Sequence, residues 1–210
     1  MKEIVACEVC GNNSLISVLD LGFHPMCDDL IPINESRVCS KYPIEICFCE
    51  ECCTAHQRFQ IPKNVLFPES YHYRAHLTPS VLSGMRDLVE SCEQRFGSID
   101  GKVVLDIGCN DGSLLRSYDA NVIKVGFEPA SNLVNEAKVG TNFIINDFFN
   151  SKKFFEIFPE KKCKVITSIA MFYDLDDPNE FVKNIADCLH SNGIWIIQMA
   201  YLIPMLKLNG

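Results

Sequence analysis

The sequence predicts an α/β protein: a mostly parallel sheet with helices on both faces, preceded by a small cysteine-rich β module. Three observations predict it. From Val103 onward, apolar runs that read as strands alternate with amphipathic helical stretches, as in a sheet covered on both sides. The first such run, Val103-Val104-Leu105-Asp106-Ile107, leads into the turn Gly108-Cys109-Asn110-Asp111-Gly112, and a helix begins at once with Ser113-Leu114-Leu115. Eight of the twelve cysteines fall before residue 54, and two pairs of them are spaced CxxC.

Composition sets the outer limits. At 210 residues and 48% hydrophobic content the chain can bury a sizeable core. It divides into a metal-binding module over 1–65, a linker and helix over 66–98, and a sheet domain over 99–210. The net charge is −8 and no basic run is longer than Lys161-Lys162, which argues against a nucleic-acid partner. No apolar run is long enough to span a bilayer, and Met1-Lys2-Glu3-Ile4 has no signal-peptide core. The expectation is a cytoplasmic protein with no membrane partner.

Without a secretion signal, the cysteines are expected to serve a metal rather than a disulfide scaffold. Cys7-Glu8-Val9-Cys10-Gly11 is one knuckle, followed by a short strand from Leu15 to Leu21 that turns at Gly22. A second strand, Tyr42 to Ile46, precedes the other knuckle, Cys49-Glu50-Glu51-Cys52. Two such pairs let four thiolates converge tetrahedrally on Zn²⁺, and a closed all-sulfur shell is structural rather than catalytic. Cys7, Cys10, Cys49 and Cys52 are the candidate ligands; the alternatives are reduced core cysteines or a redox pair. Cys47 shares strand parity with Cys49, Cys53 stands where a small residue suits a turn, and the other six cysteines read as small apolar fillers. His24, between the knuckles, is either a ligand or substrate contact or a plain turn histidine.

The linker Leu66 to His76 is dense in aromatic and titratable groups: Tyr71, His72, Tyr73 and His76 fall within six residues. A solvated linker seldom has that composition, so these four are candidates for lining a pocket that holds a polar substrate; packing between modules is the alternative. Thr78 and Pro79 then open a helix, Leu82, Met85, Leu88, Val89, Cys92 and Phe96 recur at helical spacing, and Gly97 closes it.

Within the sheet domain, strand two is Asn121 to Phe127, followed by a helix containing Leu133, Val134 and Ala137. Strand three is Asn142 to Ile145, and strand four is Lys164 to Ile169. Asp177 with Glu180 and Pro178 begins a helix in a capping-box arrangement, and Asn192-Gly193 ends it. Ile194 to Met199 is strand five.

Ligands on such Rossmann-like sheets bind outside the carboxyl ends of the strands. Asp106, Glu128, Asp147 and Ser168 stand at four of those ends. Glu128 lies twenty residues beyond Gly108, where an acid can accept both hydroxyls of a ribose. The turn lacks the three-glycine cradle of a dinucleotide site, and its acids would face a diphosphate unfavourably. They suit a ligand with an ammonium and a positive charge, and S-adenosylmethionine is such a ligand. Chemistry then assigns Asp106 and the turn Gly108, Asn110, Asp111 and Gly112 to the methionine part. Glu128 takes the ribose, Asp147 the adenine amine with Phe148 against its face, and Ser168 completes the set. Taken singly, Glu128 and Asp147 could instead be helix N-caps.

The chain resembles the zinc-containing sugar C-methyltransferases, which act on nucleotide-linked deoxysugars. The motifs are Cys7-x-x-Cys10-Gly11, Leu19-Asp20-Leu21-Gly22, Tyr42-Pro43-Ile44-Glu45, Cys49-x-x-Cys52, Tyr71-x-Tyr73, Asp106-x-Gly108-x-Asn110-Asp111-Gly112 and Glu128-Pro129-Ala130. The resemblance implies a zinc-binding module, a class I methyltransferase domain that binds S-adenosylmethionine, and a further domain that helps to hold the sugar nucleotide. Two positions depart from it. Where the family often has a histidine after strand four, this chain has Phe172-Tyr173, and the family's Glu-His pair, whose histidine takes the proton from the sugar carbon, falls beyond Gly210. Strand five would also be left as an open apolar edge. The chain is therefore expected to be part of a longer protein, truncated after the fifth strand, with its main base beyond Gly210. Two alternatives stand beside C-methylation: O- or N-methylation of another small molecule, and a zinc and cofactor-binding scaffold without turnover.

Overall fold

The computed structural model describes residues 1–27, 29–69 and 71–208; Ser70 of the linker and the last two residues lie outside the described residues. The chain forms two compact units, one of Met1–Leu66 with Asp176–Asn179 and one of Phe67–Leu175 with Glu180–Gly210.

In the first unit, β1 (Lys2–Glu3) pairs antiparallel with β5 (Phe59–Gln60). The strands β2 (Leu15–Pro25), β3 (Lys41–Cys49) and β4 (Thr54–Gln57) form an antiparallel sheet in that order, and α1 (Lys63–Leu66) follows. Both long strands outrun the sequence expectation. At Gly22 the chain does not turn back: a register shift between Asp20 and Phe23 absorbs the extra residues as a bulge, and β2 continues to Pro25. β3 extends through Cys47 and Cys49, both fully buried, so the strand delivers the chain directly into the second knuckle.

In the second unit, α2 (Pro79–Phe96) starts where Thr78 and Pro79 place it, although the Thr78 hydroxyl makes no capping bond. Gly97 closes it, its N–H donating to the Glu93 carbonyl. The sheet comprises β6 (Val103–Ile107), β7 (Ile123–Phe127), β8 (Phe143–Ile145), β9 (Cys163–Ile169) and β10 (Leu189–Gln198). Its order is β10-β9-β6-β7-β8, all parallel. Alternate side chains leave by opposite faces. Leu105, Val125 and Ile166 join Phe127 and Phe154 in one core cluster, whereas Val104, Val122 and Val165 join Leu114, Leu115 and Val89 of α2 in the other. At about 1.5–3 kcal/mol for each fully buried large aliphatic side chain, these two layers carry the unit.

The remaining helices are α3 (Ser113–Arg116), α4 (Val134–Ala137), α5 (Ser151–Ile157), α6 (Pro178–Cys188) and α7 (Leu202–Leu208), with 3₁₀ turns at Ala75–Leu77, Ser131–Leu133 and Phe172–Asp174. Sequence periodicity did not reveal α5, a helix of only seven residues; Asn150 caps it by accepting from the Lys153 N–H at 3.0 Å, and Phe154 is its buried anchor. Nor does Gly193 end a helix. α6 stops at Cys188, and Leu189 already pairs with Cys163. Gly193 serves instead in the irregular stretch before Ile194, where a Cβ would lie 2.9 Å from the Cys163 carbonyl oxygen. From β6 the chain proceeds outward through β7 and β8, then returns to the other side through β9 and β10. That reversal makes the carboxyl end of β6 the expected ligand position.

Candidate functional site

The sulfur atoms of Cys7, Cys10, Cys49 and Cys52 all lie within 4.8 Å of one another, with Cys7–Cys52 at 3.5 Å and Cys10–Cys49 at 3.6 Å. A tetrahedron with Zn–S bonds of 2.3 Å has edges of about 3.8 Å, so the four sulfurs have the size of a zinc shell. Each knuckle is built locally. In the first, the Cys10 N–H points at Cys7 Sγ and the Gly11 N–H closes on the Cys7 carbonyl; in the second, Cys53 adopts a left-handed φ of 57° and returns the chain to Thr54. The Thr54 hydroxyl, 3.2 Å from Cys52 Sγ, draws that thiol down to about 7. Cys47 is buried and apart from the cluster, and Cys53 is exposed. His24 is exposed and stands within β2, paired with Tyr42 of β3 rather than in a turn, with its Nε2 2.7 Å from the Leu21 carbonyl and apart from the four cysteines. Sequence reasoning passed over His56, which is buried with Nε2 3.2 Å from Cys7 Sγ and Nδ1 3.7 Å from Glu8, the position of an outer partner to a ligating sulfur.

In the second unit a cavity of about 440 Å³ opens at the carboxyl ends of the strands, within the range of small-molecule sites. Asp106, Gly108, Asn110, Glu128, Asp147 and Phe148 line it, together with Tyr71 and Tyr73. The turn after β6 is fixed by the N–H groups of Gly108 and Cys109, which both donate to the Phe127 carbonyl at the end of β7. Asp106 is buried, and the Thr167 hydroxyl donates to its Oδ1 at 2.6 Å. Burial pushes Asp106 up to about 7; Thr167 opposes the shift and the neighbouring Glu128 adds to it. Glu128 is also raised by burial, against two backbone donors: Asn110 N–H to Oε2 at 2.7 Å and Ala130 N–H to Oε1 at 2.8 Å. Each of its oxygens therefore keeps one lone pair for a ligand. Asp147 accepts from the Phe148 N–H at 2.7 Å and is paired with Lys153.

Five residues expected at this site are not on the cavity wall. Ser168 is fully buried, and its hydroxyl accepts from Trp195 Nε1 at 3.0 Å on the neighbouring strand; Ile169, Ala170 and Met171 line the cavity instead. Asp111 is fully buried and turned away. Its Oδ2 accepts from the His76 N–H at 2.8 Å and meets His76 Nδ1 at 2.7 Å, and its Oδ1 accepts from Ser113 N–H at 2.9 Å. Burial acts to raise Asp111, but the hydrogen bonds from Ser113 and His76 outweigh it and hold the carboxyl below its usual range. Gly112 is required by packing: its φ is 80°, and a Cβ there would stand 2.9 Å from the Ala137 carbonyl oxygen. His72 is exposed and its carbonyl accepts from Arg74, while His76 is committed to Asp111. Sequence reasoning missed the apolar part of the wall, including Phe67, Met85, Met171 and Phe181. The one signal was the aromatic run Phe172-Tyr173 after strand four, of which Tyr173 lines the cavity.

Among the described residues no helix is long and apolar enough to cross a membrane. Residues 74–204 match the family described as "Methyltransferase domain", and residues 7–67 match "Putative zinc binding domain". The chain is 27% identical over 212 residues to the C-methyltransferase NovU of Streptomyces niveus, a match that covers all of this chain and 50% of that protein. The chain thus spans about half the length of the curated relative it matches. A similar solved structure is the plantazolicin methyltransferase BpumL with a pentazolic desmethylPZN analog and SAH, at 18% identity and a TM-score of 0.51, covering 63% of this chain and 52% of that one. The same enzyme with a triazolic analog and SAH gives 19% identity and a TM-score of 0.50, with the same coverage of 63% and 52%. These structural likenesses concern the fold.

Proposed function

The chain belongs to the methyltransferase domain family, and from that premise we propose that its cavity holds S-adenosylmethionine and serves C-methylation beside the keto group of a nucleotide-linked deoxysugar. The observation that carries the proposal is the pair of buried carboxylates, Asp106 and Glu128, on one cavity wall at the ends of adjacent strands. Two acids repel a diphosphate, attract an ammonium and accept hydroxyl hydrogens, so the donor set fits this cofactor and does not fit a dinucleotide.

When bound, the cofactor supplies an electrophilic methyl group on a cationic sulfur. Asp106 and the Gly108 turn would hold the methionine part, Glu128 the ribose hydroxyls, and Asp147 the adenine amine with Phe148 against the ring. Asp147 would give up part of its pairing with Lys153 to do so. The acceptor carbon must give its proton to a general base before it forms the new carbon–carbon bond, and the negative charge left behind gathers on the neighbouring carbonyl oxygen. The phenols of Tyr71 and Tyr73, both on the cavity wall, are the groups proposed to donate to that oxygen. Carbon as the atom methylated follows the likeness to NovU, which is a C-methyltransferase. The four-cysteine cluster has no open position for a substrate, so its zinc is structural.

The test has two arms. Calorimetric titration should show binding of S-adenosylhomocysteine and none of NAD; tight NAD binding alone would reject the cofactor assignment. Incubation with a keto-deoxysugar nucleotide and cofactor carrying a deuterated methyl should place the label on ring carbon by NMR, and label on oxygen or nitrogen would overturn C-methylation.

A further inference from the structure

The segment that brings Tyr71 and Tyr73 to the cavity wall is held by side chains reaching to its backbone. Asn132, at the 3₁₀ turn before α4, accepts from the Tyr71 N–H at 3.2 Å and donates from Nδ2 to the Tyr71 carbonyl at 2.9 Å, while its own N–H donates to the Glu69 carbonyl at 3.1 Å. Asn110, in the turn after β6, accepts from the Ala75 N–H at 3.0 Å and donates from Nδ2 to the Tyr73 carbonyl at 3.1 Å. Each amide thus uses its donor and its acceptor on main-chain groups, as a neighbouring strand would. The two turns that carry these amides are joined by one carboxylate. Glu128 binds the Asn110 N–H with Oε2 and, with Oε1, the N–H of Ala130, two residues before Asn132.

We propose that Asn110 and Asn132 are positioning residues, a pair of amide clamps that fix the backbone of residues 71–75 so that the Tyr71 and Tyr73 side chains face the cavity, with Glu128 as their common anchor. The geometry agrees with the way the tyrosines and His72 part company: the backbone is held at Tyr71, Tyr73 and Ala75, and those three residues line the cavity while His72 is exposed and off its wall. It also assigns Glu128 a second task. A diol ligand that engages this carboxylate acts on the group that fixes both clamps, and this part of the proposal rests on the methyltransferase function proposed above.

The test is ¹⁹F NMR of protein in which the six tyrosines carry 3-fluorotyrosine, with Tyr71→Phe and Tyr73→Phe used to assign the signals. In wild-type protein without ligand, both signals should stand apart from that of free 3-fluorotyrosine. Asn132→Ala should bring the Tyr71 signal toward the free position and Asn110→Ala the Tyr73 signal, while Asn135→Ala, beside the clamp on α4, should move neither. Amide hydrogen exchange gives a second measure: the Tyr71 N–H in Asn132→Ala and the Ala75 N–H in Asn110→Ala should exchange about fivefold to tenfold faster. Unchanged spectra and unchanged exchange in both alanine variants would overturn the proposal. Adding S-adenosylhomocysteine should slow exchange of both amides in wild type, and exchange that stays the same with ligand bound would reject the role of Glu128 as anchor. If calorimetry shows that S-adenosylhomocysteine does not bind, the cofactor assignment fails, yet the ligand-free comparison still decides the clamps.

Discussion

The hydroxyl of Thr167 donates to Asp106 Oδ1 at 2.6 Å from the strand next to it, and both residues are buried. One hydrogen bond does not offset the loss of water around a carboxylate, which is why Asp106 titrates near 7. The folded protein therefore holds a proton on Asp106 between about pH 4 and 7 that the unfolded chain releases, so this residue's contribution to stability falls as pH rises through that window. Asp106→Asn keeps an acceptor for Thr167 and removes the charge. Measured by denaturant unfolding without ligand, the variant should gain about 1–3 kcal/mol over wild type at pH 8 and little at pH 4. A constant difference across pH would reject the assignment.

An ammonium ligand needs Asp106 ionised, so wild-type affinity for S-adenosylhomocysteine should rise as pH increases from 6 to 8. In Asp106→Asn that rise should be lost. Titration calorimetry at three pH values checks both.

Glu128→Gln keeps the shape of the side chain and removes its charge. Binding of S-adenosylhomocysteine should weaken by about 1–3 kcal/mol through poorer acceptance of two hydroxyls. Equal affinity would show that the ribose lies elsewhere.

Purified protein should contain about one zinc per chain. Cys49→Ser should lower the zinc content and Cys92→Ser should not, because Cys92 is a core residue on the buried face of α2. Acidification should release the metal, since its ligands bind as thiolates. Metal analysis showing equal zinc in both variants would remove the cluster from consideration.

Two glycines should respond in opposite directions. Gly112→Ala meets a left-handed φ of 80° and the Ala137 backbone at 2.9 Å, and should cost about 2–4 kcal/mol. Gly84, inside α2 with nothing within 4 Å of a Cβ, should gain about 0.5–1 kcal/mol as alanine. Thermal unfolding of the pair tests both signs.

Much of this was legible in the sequence because the strands are short, apolar on both faces and closed by polar residues. Asp106, Glu128 and Asp147 were found as strand-end acids, and all three line the cavity. What a strand end does not disclose is the direction a side chain takes. Ser168 stands one residue before Ile169, Ala170 and Met171, which line the cavity, and its hydroxyl turns to Trp195. Asp111 follows Asn110 in the same turn but turns to His76. The linker betrayed itself by composition, yet composition does not separate Tyr71 and Tyr73, on the cavity wall, from His72, whereas the backbone there is held by Asn110 and Asn132 from positions distant in sequence. α5 left little trace because two turns of helix are too few for a period to emerge.

The four cysteines also bear on how the N-terminal unit comes to be folded. Among its described residues only Ile4, Cys7, Cys47, Cys49, His56 and Ile61 are buried, and β2 lies exposed along most of its length. So thin an interior releases little free energy on collapse, while joining Cys10 to Cys49 closes a loop across a sequence separation of 39 and costs about 3 kcal/mol of chain entropy. Coordination is then what makes closure favourable. The folded fraction of this unit becomes a function of free zinc, and a cell short of the metal would hold more of the unit open.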